Sequence, residues 1–322
     1  MMSRVPTFSI ITPVYNGQEF LKETIDSVLR AASNISFEYL VIDDGSTDDS
    51  RRILLEYGNK IRYIRQENLG QSAAITNAIG LARGEYLLIV NADDPLVSSD
   101  LFRDAKEILD NDTGTVATYP DWIMIDNLGN EVETVLVKDF SIEELVGRFN
   151  CLIGPGGIFR RVAAQKIRGW DKNFKYVPDY DFWLRLVDYG KFQHIPKVQA
   201  TWRTHSDSIS IGSRGLEMAE ERIRVIENYV SRHPELPEKI RKMALANSMY
   251  RAAILSYFDH RVQGRKLIMS SIKLRSRILI ESDLRVIAFL LCLPLSGHVV
   301  DKLNKLFSLM KLEDKLRRRI KR

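Results

Sequence analysis

The chain has 322 residues, 45% of them hydrophobic, and a formal net charge of +5. That composition excludes an intrinsically disordered chain and is sufficient for one large globular domain or two ordinary ones. Near the N-terminus, Pro13 and polar residues follow before any apolar run reaches the length of a signal peptide. We therefore expect a cytoplasmic protein.

The positive charge is concentrated at the C-terminal end. Residues 301–322 contain nine Lys or Arg and three acidic residues, a net +6, so that the other 300 residues sum to −1. A nucleic-acid-binding protein is expected to spread its basic residues over the folded domain. This distribution instead predicts an anionic membrane surface as a partner and no nucleic acid.

The first hundred residues predict strands that alternate with helices. The predicted strands cover residues 8–14, 37–42, 61–65 and 86–90, and helices are predicted after each of the first three. The helix after the first strand places Leu21, Ile25, Val28 and Ala32 on one face. This alternation predicts an α/β fold with a doubly wound, mainly parallel sheet.

After a helix at residues 100–110 the pattern changes. Residues 115–120 predict a strand, and residues 122–125 and 132–137 predict a hairpin around DNLGNE. A loop is predicted at LIGPGGIF, a helix at residues 179–189 with Tyr189 inward, and two short strands around Pro196. From Gly215 onward the pattern is helical, so we place a domain boundary near Gly212, which gives domains 1–212 and 213–322.

Carboxylates follow two of the predicted buried strands. Asp43 and Asp44 end the second strand, and Asp93 and Asp94 follow the fourth. Ligands of open α/β sheets collect at the carboxyl ends of such strands, and paired carboxylates suit Mg²⁺ or Mn²⁺. Taken alone, Asp93 and Asp94 could equally form a turn that caps the next helix.

Five ordered motifs over residues 7–210 carry a resemblance to a known family. They are ITPVYNG, VIDDGSTDDS, NLGQSAAITNAI, VNADD and PDYDFWLRL, followed by WRTHSDSIS. Together they resemble the nucleotide-sugar half of family 2 glycosyltransferases of GT-A fold. The resemblance implies an inverting transferase that moves a sugar from a nucleotide-sugar donor, with UDP expected, to a glycan or lipid-linked acceptor, as in the biosynthesis of cell-surface polysaccharides.

The resemblance implies a donor site. Pro13, Val14 and Tyr15 match the turn that packs against the base, and Asp44 matches the carboxylate that accepts a hydrogen bond from a uracil-type imide N–H. Asn91, Ala92 and Asp93 match the family's DxD element, so an amide replaces its first carboxylate. We expect Mn²⁺ or Mg²⁺ to bind Asp93, with Asp94 as the second choice.

Two further roles are implied by position. Asp179 matches the general base, although Pro178 stands where the family usually has Glu, and the carboxylate could also cap its helix. His205 matches a histidine that approaches the diphosphate or the metal, although a histidine in a polar loop is commonly only solvated. Gly156 and Gly157 match a loop that admits the acceptor where a Cβ would intrude. Trp183 and Trp202 are expected in the core.

Two other classes of function remain as alternatives. A metal-dependent nucleotidyltransferase also uses carboxylates on an α/β sheet, but it normally has a glycine-rich, basic loop after the first strand, and PVYNGQEF contains no basic residue. A catalytically silent nucleotide-sugar-binding module would keep the base pocket and lose Asp93 or Asp179. Both carboxylates are present.

We predict that the C-terminal tail binds membranes weakly. Residues 284–295 are apolar but too short to span a bilayer. The tail, residues 301–322, combines its +6 charge with Leu303, Leu306 and Phe307 near one side. Each basic residue near an anionic leaflet contributes about 1 kcal/mol and is screened by salt, so binding should weaken as salt rises. The measurement is flotation with anionic liposomes of the full chain and of a chain that ends at Val300. If neither floats at low salt, the tail packs on the protein instead.

Overall fold

The structure is a computed structural model that describes residues 5–205, 215–256 and 260–278. Eight strands form one mixed sheet: β1 (Phe8–Val14), β2 (Phe37–Asp43), β3 (Arg62–Arg65), β4 (Tyr86–Ile89), β5 (Thr115–Ile125), β6 (Glu131–Val135), β7 (Ile158–Arg160) and β8 (Lys191–Arg203). The helices are α1 (Leu21–Ala31), α2 (Ser50–Glu56), α3 (Gln71–Leu81), α4 (Asp100–Asn111), α5 (Arg161–Lys166), α6 (Pro178–Leu186), α7 (Leu216–Arg232), α8 (Glu238–Ser256) and α9 (Arg261–Leu274).

The sheet has a parallel half and a mixed half. Its strand order is β3-β2-β1-β4-β7-β5-β6, and β8 pairs with β5. Strand β1 is parallel to both β2 and β4, and β2 is parallel to β3. Strand β7 then runs antiparallel to β4 and β5. The parallel sheet predicted for the first hundred residues is confirmed, and so is the later change in direction.

Two proline-containing segments were predicted as pairs of strands, and each is a single strand. Strands β5 and β8 pair in parallel along their full length, with Pro120 opposite Ile195 and Asp121 opposite Val198. The register shifts there, so that Pro196 lies in an irregular position of the ladder. Proline lacks an N–H and is tolerated at bulges, and these prolines therefore do not end their strands.

The end of the helix predicted at residues 179–189 was also wrong. Helix α6 ends at Leu186, and residues 187–189 continue as a 3₁₀ turn. The tighter turn changes the periodicity, and Tyr189 is 45% exposed instead of facing inward.

Hydrophobic cores lie on both faces of the sheet. One core joins α3, α5 and α6 to side chains such as Ile11 and Phe159, and the other joins α1 and α4 to Ile10 and Leu88. All seven residues of β1 are buried. A strand that is apolar on both faces is expected at the centre of a three-layer α/β fold.

The C-terminal part of the described chain is helical, as predicted. Helix α8 packs against α7 and α9, and it also contacts the single turn of π-helix at residues 143–147. Within the described ranges, no helix is long and apolar enough to cross a membrane. The predicted boundary at Gly212, the apolar segment 284–295 and the basic tail 301–322 lie outside those ranges.

Candidate active site

A cavity of about 720 Å³ lies at the carboxyl ends of β1 and β4. Its lining includes all ten residues predicted for the donor, the metal and catalysis: Pro13, Val14, Tyr15, Asp44, Asn91, Ala92, Asp93, Asp94, Asp179 and His205. Of the two glycines predicted to admit the acceptor, Gly157 lines the cavity and Gly156 does not. The fold therefore brings residues as far apart in sequence as Pro13 and His205, 192 positions, to one cavity. This is the crevice in which open α/β sheets bind their ligands.

The turn after β1 is held by the segment that precedes α2. Asn16 has a positive φ of 51°, and its side-chain oxygen accepts a hydrogen bond of 2.8 Å from the Thr47 amide. Ser50 Oγ accepts a bond of 2.9 Å from the Gly17 amide. These bonds fix the turn while the Tyr15 side chain stays 51% exposed. Tyr15 is therefore a ring open to the cavity, not a core aromatic.

Asp44 is buried and fully oriented by hydrogen bonds. Its Oδ1 accepts bonds from Gln66 Nε2 at 2.8 Å and the Leu69 amide at 2.9 Å, and Oδ2 accepts one from the Gly70 amide at 2.8 Å. A carboxylate oxygen has two lone pairs, so Oδ2 keeps capacity for one more donor. Asp44 does not cap α2. The amide of Ser46, in the loop before α2, donates to the neighbouring Asp43 at 2.7 Å.

The loop after β4 explains why position 91 is an amide. Asn91 Nδ2 donates a hydrogen bond of 2.9 Å to Asp94 Oδ2. Asp94 Oδ1 accepts a second bond, from the Arg203 amide, at 2.8 Å. A carboxylate at position 91 would face Asp94 directly, and like charges at that distance disfavour ionisation. Burial, and to a lesser extent the neighbouring Asp93, raises the pKa of Asp94 to about 8.

Asp93 and His205 form the part of the loop that can hold a metal. His205 Nε2 lies 3.0 Å from Asp93 Oδ2, and both side chains are partly open to the cavity. Carboxylate oxygen and imidazole nitrogen are suitable ligands for Mn²⁺, and Mg²⁺ commonly binds one or two carboxylates with substrate phosphates. The donor set therefore fits. Among the residues the structure describes, no group of three acidic, His or Cys side chains converges on one point, so other ligands would come from substrate and water.

A buried arginine connects this loop to the rest of the site. The Arg203 side chain is 1% exposed. Its guanidinium donates to the carbonyl oxygens of Asp93 at 2.9 Å and Asp126 at 3.1 Å, and to Glu23 Oε2 at 2.6 Å. It also lies over the ring of Phe20, 4.6 Å from the ring centroid. Arg203 therefore joins β8, the loop after β4, the β5–β6 turn and α1.

Asp179 lies in the first turn of α6, where the helix dipole favours an acidic group. Its side chain opens into the cavity. The surrounding protein atoms nevertheless exclude much of the solvent, and this desolvation raises the pKa of the carboxyl. No side-chain cap bond is found at the start of α6. The same wall raises the pKa of the Cys151 thiol, which is also open to the cavity.

The glycines of LIGPGGIF are required by packing within the protein. A Cβ on Gly156, whose φ is +82°, would lie 2.8 Å from Pro120 Cγ, and one on Gly157 would lie 2.4 Å from Ile153 Cγ2. The family resemblance predicts that an acceptor approaches these glycines, but the atoms that a Cβ would meet belong to the protein's own side chains. Trp183 is buried as expected, whereas Trp202 is only partly buried, and both line the cavity.

Several residues that shape the site were not predicted from the sequence. Gln66 donates a hydrogen bond to Asp44, and Arg203 holds the Asp93 loop. Lys175 lines the cavity. Arg203 is the last residue of β8 and belongs to the motif WRTHSDSIS, which was the available signal. A charged residue at a strand end is normally solvent-exposed, however, and the burial of Arg203 depends on partners from three other segments.

Comparisons with known proteins agree with this architecture. Residues 9–167 match the family described as Glycosyl transferase family 2. An uncharacterized glycosyltransferase of Rickettsia prowazekii is 31% identical over 207 residues, which cover 62% of this chain and 65% of that protein. The chondroitin synthase of Escherichia coli is 29% identical over 235 residues, 72% of this chain and 34% of the synthase.

Solved structures share the fold. The structure of S. aureus TarS 1–349 in complex with UDP-GlcNAc has a TM-score of 0.65, with 18% identity over 83% of this chain and 81% of TarS 1–349. The mannosyltransferase PcManGT from Pyrobaculum calidifontis, in complex with GDP-Man and Mn²⁺, has a TM-score of 0.56, with 13% identity over 89% of this chain and 79% of that one.

The fold and the matched sequence together define a glycosyltransferase with a GT-A-type sheet and additional C-terminal helices. Residues 9–167, about half of the chain, belong to glycosyltransferase family 2. The matched regions cover from about a third to about two thirds of the two named relatives, so the activity of those whole proteins does not transfer automatically. The family decides for glycosyl transfer over nucleotidyl transfer.

We predict that Arg203→Lys destabilises the protein although it keeps the charge. A single ammonium cannot replace the planar fork that reaches carbonyls and a carboxylate on three sides, and the free energy of unfolding should fall by about 3 kcal/mol. The measurement is urea unfolding at neutral pH. Arg52→Lys is the matched control, because Arg52 is 65% exposed and pairs only with exposed carboxylates, and it should change stability by less than about 0.5 kcal/mol. Equal effects of the two substitutions would contradict a special role for Arg203.

Proposed function

We propose that the protein transfers a sugar from a UDP-sugar to a hydroxyl group of a glycan or lipid-linked acceptor, with inversion at the anomeric carbon. The observation that carries this proposal is the single cavity that contains Asp44, Asp93 and Asp179 together. Two further findings support it: TarS 1–349 was solved with UDP-GlcNAc, and chondroitin synthase is among the relatives. A role in polysaccharide biosynthesis follows from the same proposal.

The nucleotide is assigned to the end of the cavity formed by β1 and β2. The free lone pair of Asp44 Oδ2 can accept a hydrogen bond from the imide N–H of uracil. The exposed ring of Tyr15 and the turn at Pro13 and Val14 provide apolar contact for the base. Because Asp44 is held by three hydrogen bonds, no side-chain rearrangement is needed to bind the base.

The sugar-transfer step is assigned to Asp179. The acceptor hydroxyl donates a hydrogen bond to the carboxylate, which takes the proton as the new glycosidic bond forms and the bond to the nucleoside diphosphate breaks. Attack on the face opposite the leaving group inverts the anomeric configuration. Asp179 must be ionised to accept this proton, and burial raises its pKa toward the working pH, where a general base is most effective.

The charges of the cavity support a requirement for a divalent cation. Among the residues that the structure describes, five acidic side chains line it, those of Glu19, Asp44, Asp93, Asp94 and Asp179, whereas Lys175 is the single lysine or arginine. A diphosphate in such a cavity would meet a wall of its own sign. Asp93 and His205 would hold Mn²⁺ or Mg²⁺, which when bound supplies the positive charge that stabilises the leaving diphosphate.

The identity of the donor is tested with a panel of UDP-, GDP- and dTDP-sugars in the presence of Mn²⁺. Release of nucleoside diphosphate is measured with and without candidate glycan acceptors. We expect release from a UDP-sugar, increased by the correct acceptor, with a product of inverted configuration by NMR. Absence of release from every donor would overturn the proposal in favour of a binding module.

We predict that Asp93→Ala removes turnover while the protein remains folded. Asn91 already replaces one family carboxylate, so loss of Asp93 leaves His205 as the only proposed protein ligand. Turnover is measured across a Mn²⁺ titration, and folding is checked by circular dichroism. Asp100→Ala, at an exposed carboxylate on α4, should behave as wild type. Undiminished wild-type turnover in excess EDTA would contradict the metal requirement.

We predict that Asp179→Asn reduces turnover by at least about a hundredfold, the usual contribution of a general base, while UDP still binds. In the wild type, kcat should fall as the pH drops through the pKa of Asp179. Because burial raises that pKa, the fall should begin at a higher pH than for a solvent-exposed aspartate. The measurements are kcat against pH and calorimetric titration with UDP. A variant that turns over within a few-fold of wild type would leave Asp179 with only a structural role.

A further inference from the structure

One face of helix α7 contacts the segment that leads into Asp179. The residues on this face are Glu217, Glu221 and Arg224, separated by four and three positions, which places them on the same side of a helix. Helix α7 lies beyond residues 9–167, the region that matches the family. The segment is residues 173–176, directly before the start of α6.

The contacts involve four consecutive residues. Arg224 Nη2 donates to the carbonyl oxygen of Asn173 at 2.8 Å, and its guanidinium lies 4.9 Å from the centroid of the Phe174 ring. Glu221 is buried, and its two oxygens accept bonds from the Lys175 amide at 2.9 and 3.0 Å. Glu221 Oε2 also accepts the Tyr176 amide at 2.7 Å. Glu217 accepts the Tyr176 hydroxyl at 3.0 Å. The α7 face therefore fixes both backbone and side chains of the segment.

Hydrogen bonds from backbone amides to a buried carboxylate are stronger than neutral ones. Glu221 provides the acceptors for both amides, and a neutral residue without acceptors would leave these donors unsatisfied. Lys175 and Tyr176 also line the cavity. Any change in the position of this segment therefore changes the cavity wall beside Asp179.

The position of Asp179 depends on this backbone. Within the described part of the chain, its carboxylate makes no hydrogen bond to another side chain, and the backbone amides at positions 179 and 180 partly offset the rise of its pKa. Pro178 lies between Tyr176 and Asp179 and fixes one backbone torsion. A displacement of Tyr176 is therefore transmitted to the start of α6.

We propose that Glu221 of helix α7 is a positioning residue for the reaction, which holds residues 173–176 so that the Asp179 carboxylate points at the acceptor hydroxyl. This inference rests on the proposed role of Asp179 as the base. It makes the C-terminal helical region part of the active site and not a separate accessory unit.

The test compares Glu221→Gln with Glu220→Gln. Glutamine has the size of glutamate but presents an NH₂ group toward one of the two amides, whereas Glu220 is the neighbouring exposed residue of α7. Hydrogen exchange measures the hydrogen bonds directly and does not depend on activity. We expect the amides of Lys175 and Tyr176 to exchange about tenfold faster or more in Glu221→Gln and at the wild-type rate in Glu220→Gln.

Steady-state kinetics test the consequence for catalysis. A base displaced by about 1 Å costs up to about a hundredfold in rate, so kcat of Glu221→Gln should fall by about ten- to a hundredfold. The KM for the UDP-sugar should stay within about twofold, because the Asp44 end of the cavity is unchanged. Arg224→Lys is the second variant, since it removes the bond to Asn173 at a half-exposed position and should lower kcat in the same direction.

Each outcome decides one part of the inference. Exchange in Glu221→Gln equal to that in Glu220→Gln would overturn the role of Glu221 in holding the segment. Faster exchange with an unchanged kcat would overturn the positioning role. A parallel loss of UDP binding and kcat would also overturn it, because the defect would then be general. If the wild-type protein turns over no nucleotide sugar, the proposed function is overturned, and the positioning role with it. The exchange result then still decides whether Glu221 holds the segment.

Discussion

The geometry of the cavity depends on the hydrogen bonds of the buried Arg203 guanidinium. A buried guanidinium is costly unless its N–H groups are paired, and here carbonyl oxygens of two loops and the carboxylate of Glu23 provide the partners. The Arg203 amide also holds Asp94. Since each partner lies on a different segment, none can move without leaving part of the charge unpaired. The loop that carries Asp93 is thus fixed from behind, while Asp93 itself faces the cavity.

The cavity lies at the carboxyl ends of β1 and β4, beside the mixed half of the sheet. Strands β1 and β4 are parallel neighbours, although β2 and β3 lie on the other side of β1, so the order of the chain reverses between them. The donor-site residues follow β1, β2 and β4, whereas Asp179 belongs to α6, after the antiparallel strand β7. Donor and acceptor chemistry are therefore assigned to different halves, and their relative placement must be rigid for an in-line displacement.

Local patterns were sufficient to predict much of the fold. Strands β1 to β4 and helices α1, α3 and α4 follow from apolar periodicity and turn residues, which act over a few positions. The single strands β5 and β8 could not be predicted in this way. Proline normally interrupts a ladder, and the strands continue because Pro120, opposite Ile195, and the unpaired Pro196 both lie at a register shift. That arrangement depends on partners about 75 residues apart.

The site could be predicted only in part, because its orienting contacts also join residues far apart in sequence. Asp44, Asp93 and Asp179 were found because ordered motifs mark them, but the motifs do not predict which distant groups orient them, even where such a group, like Arg203 in WRTHSDSIS, lies in a motif itself. Glu221 illustrates the limit, because in sequence it is one of several charged residues on an amphipathic helix. Its burial against two backbone amides depends on how α7 packs beside α6. The charge of a helix surface can be predicted from sequence, whereas the choice of which charge becomes buried and useful requires the tertiary contacts.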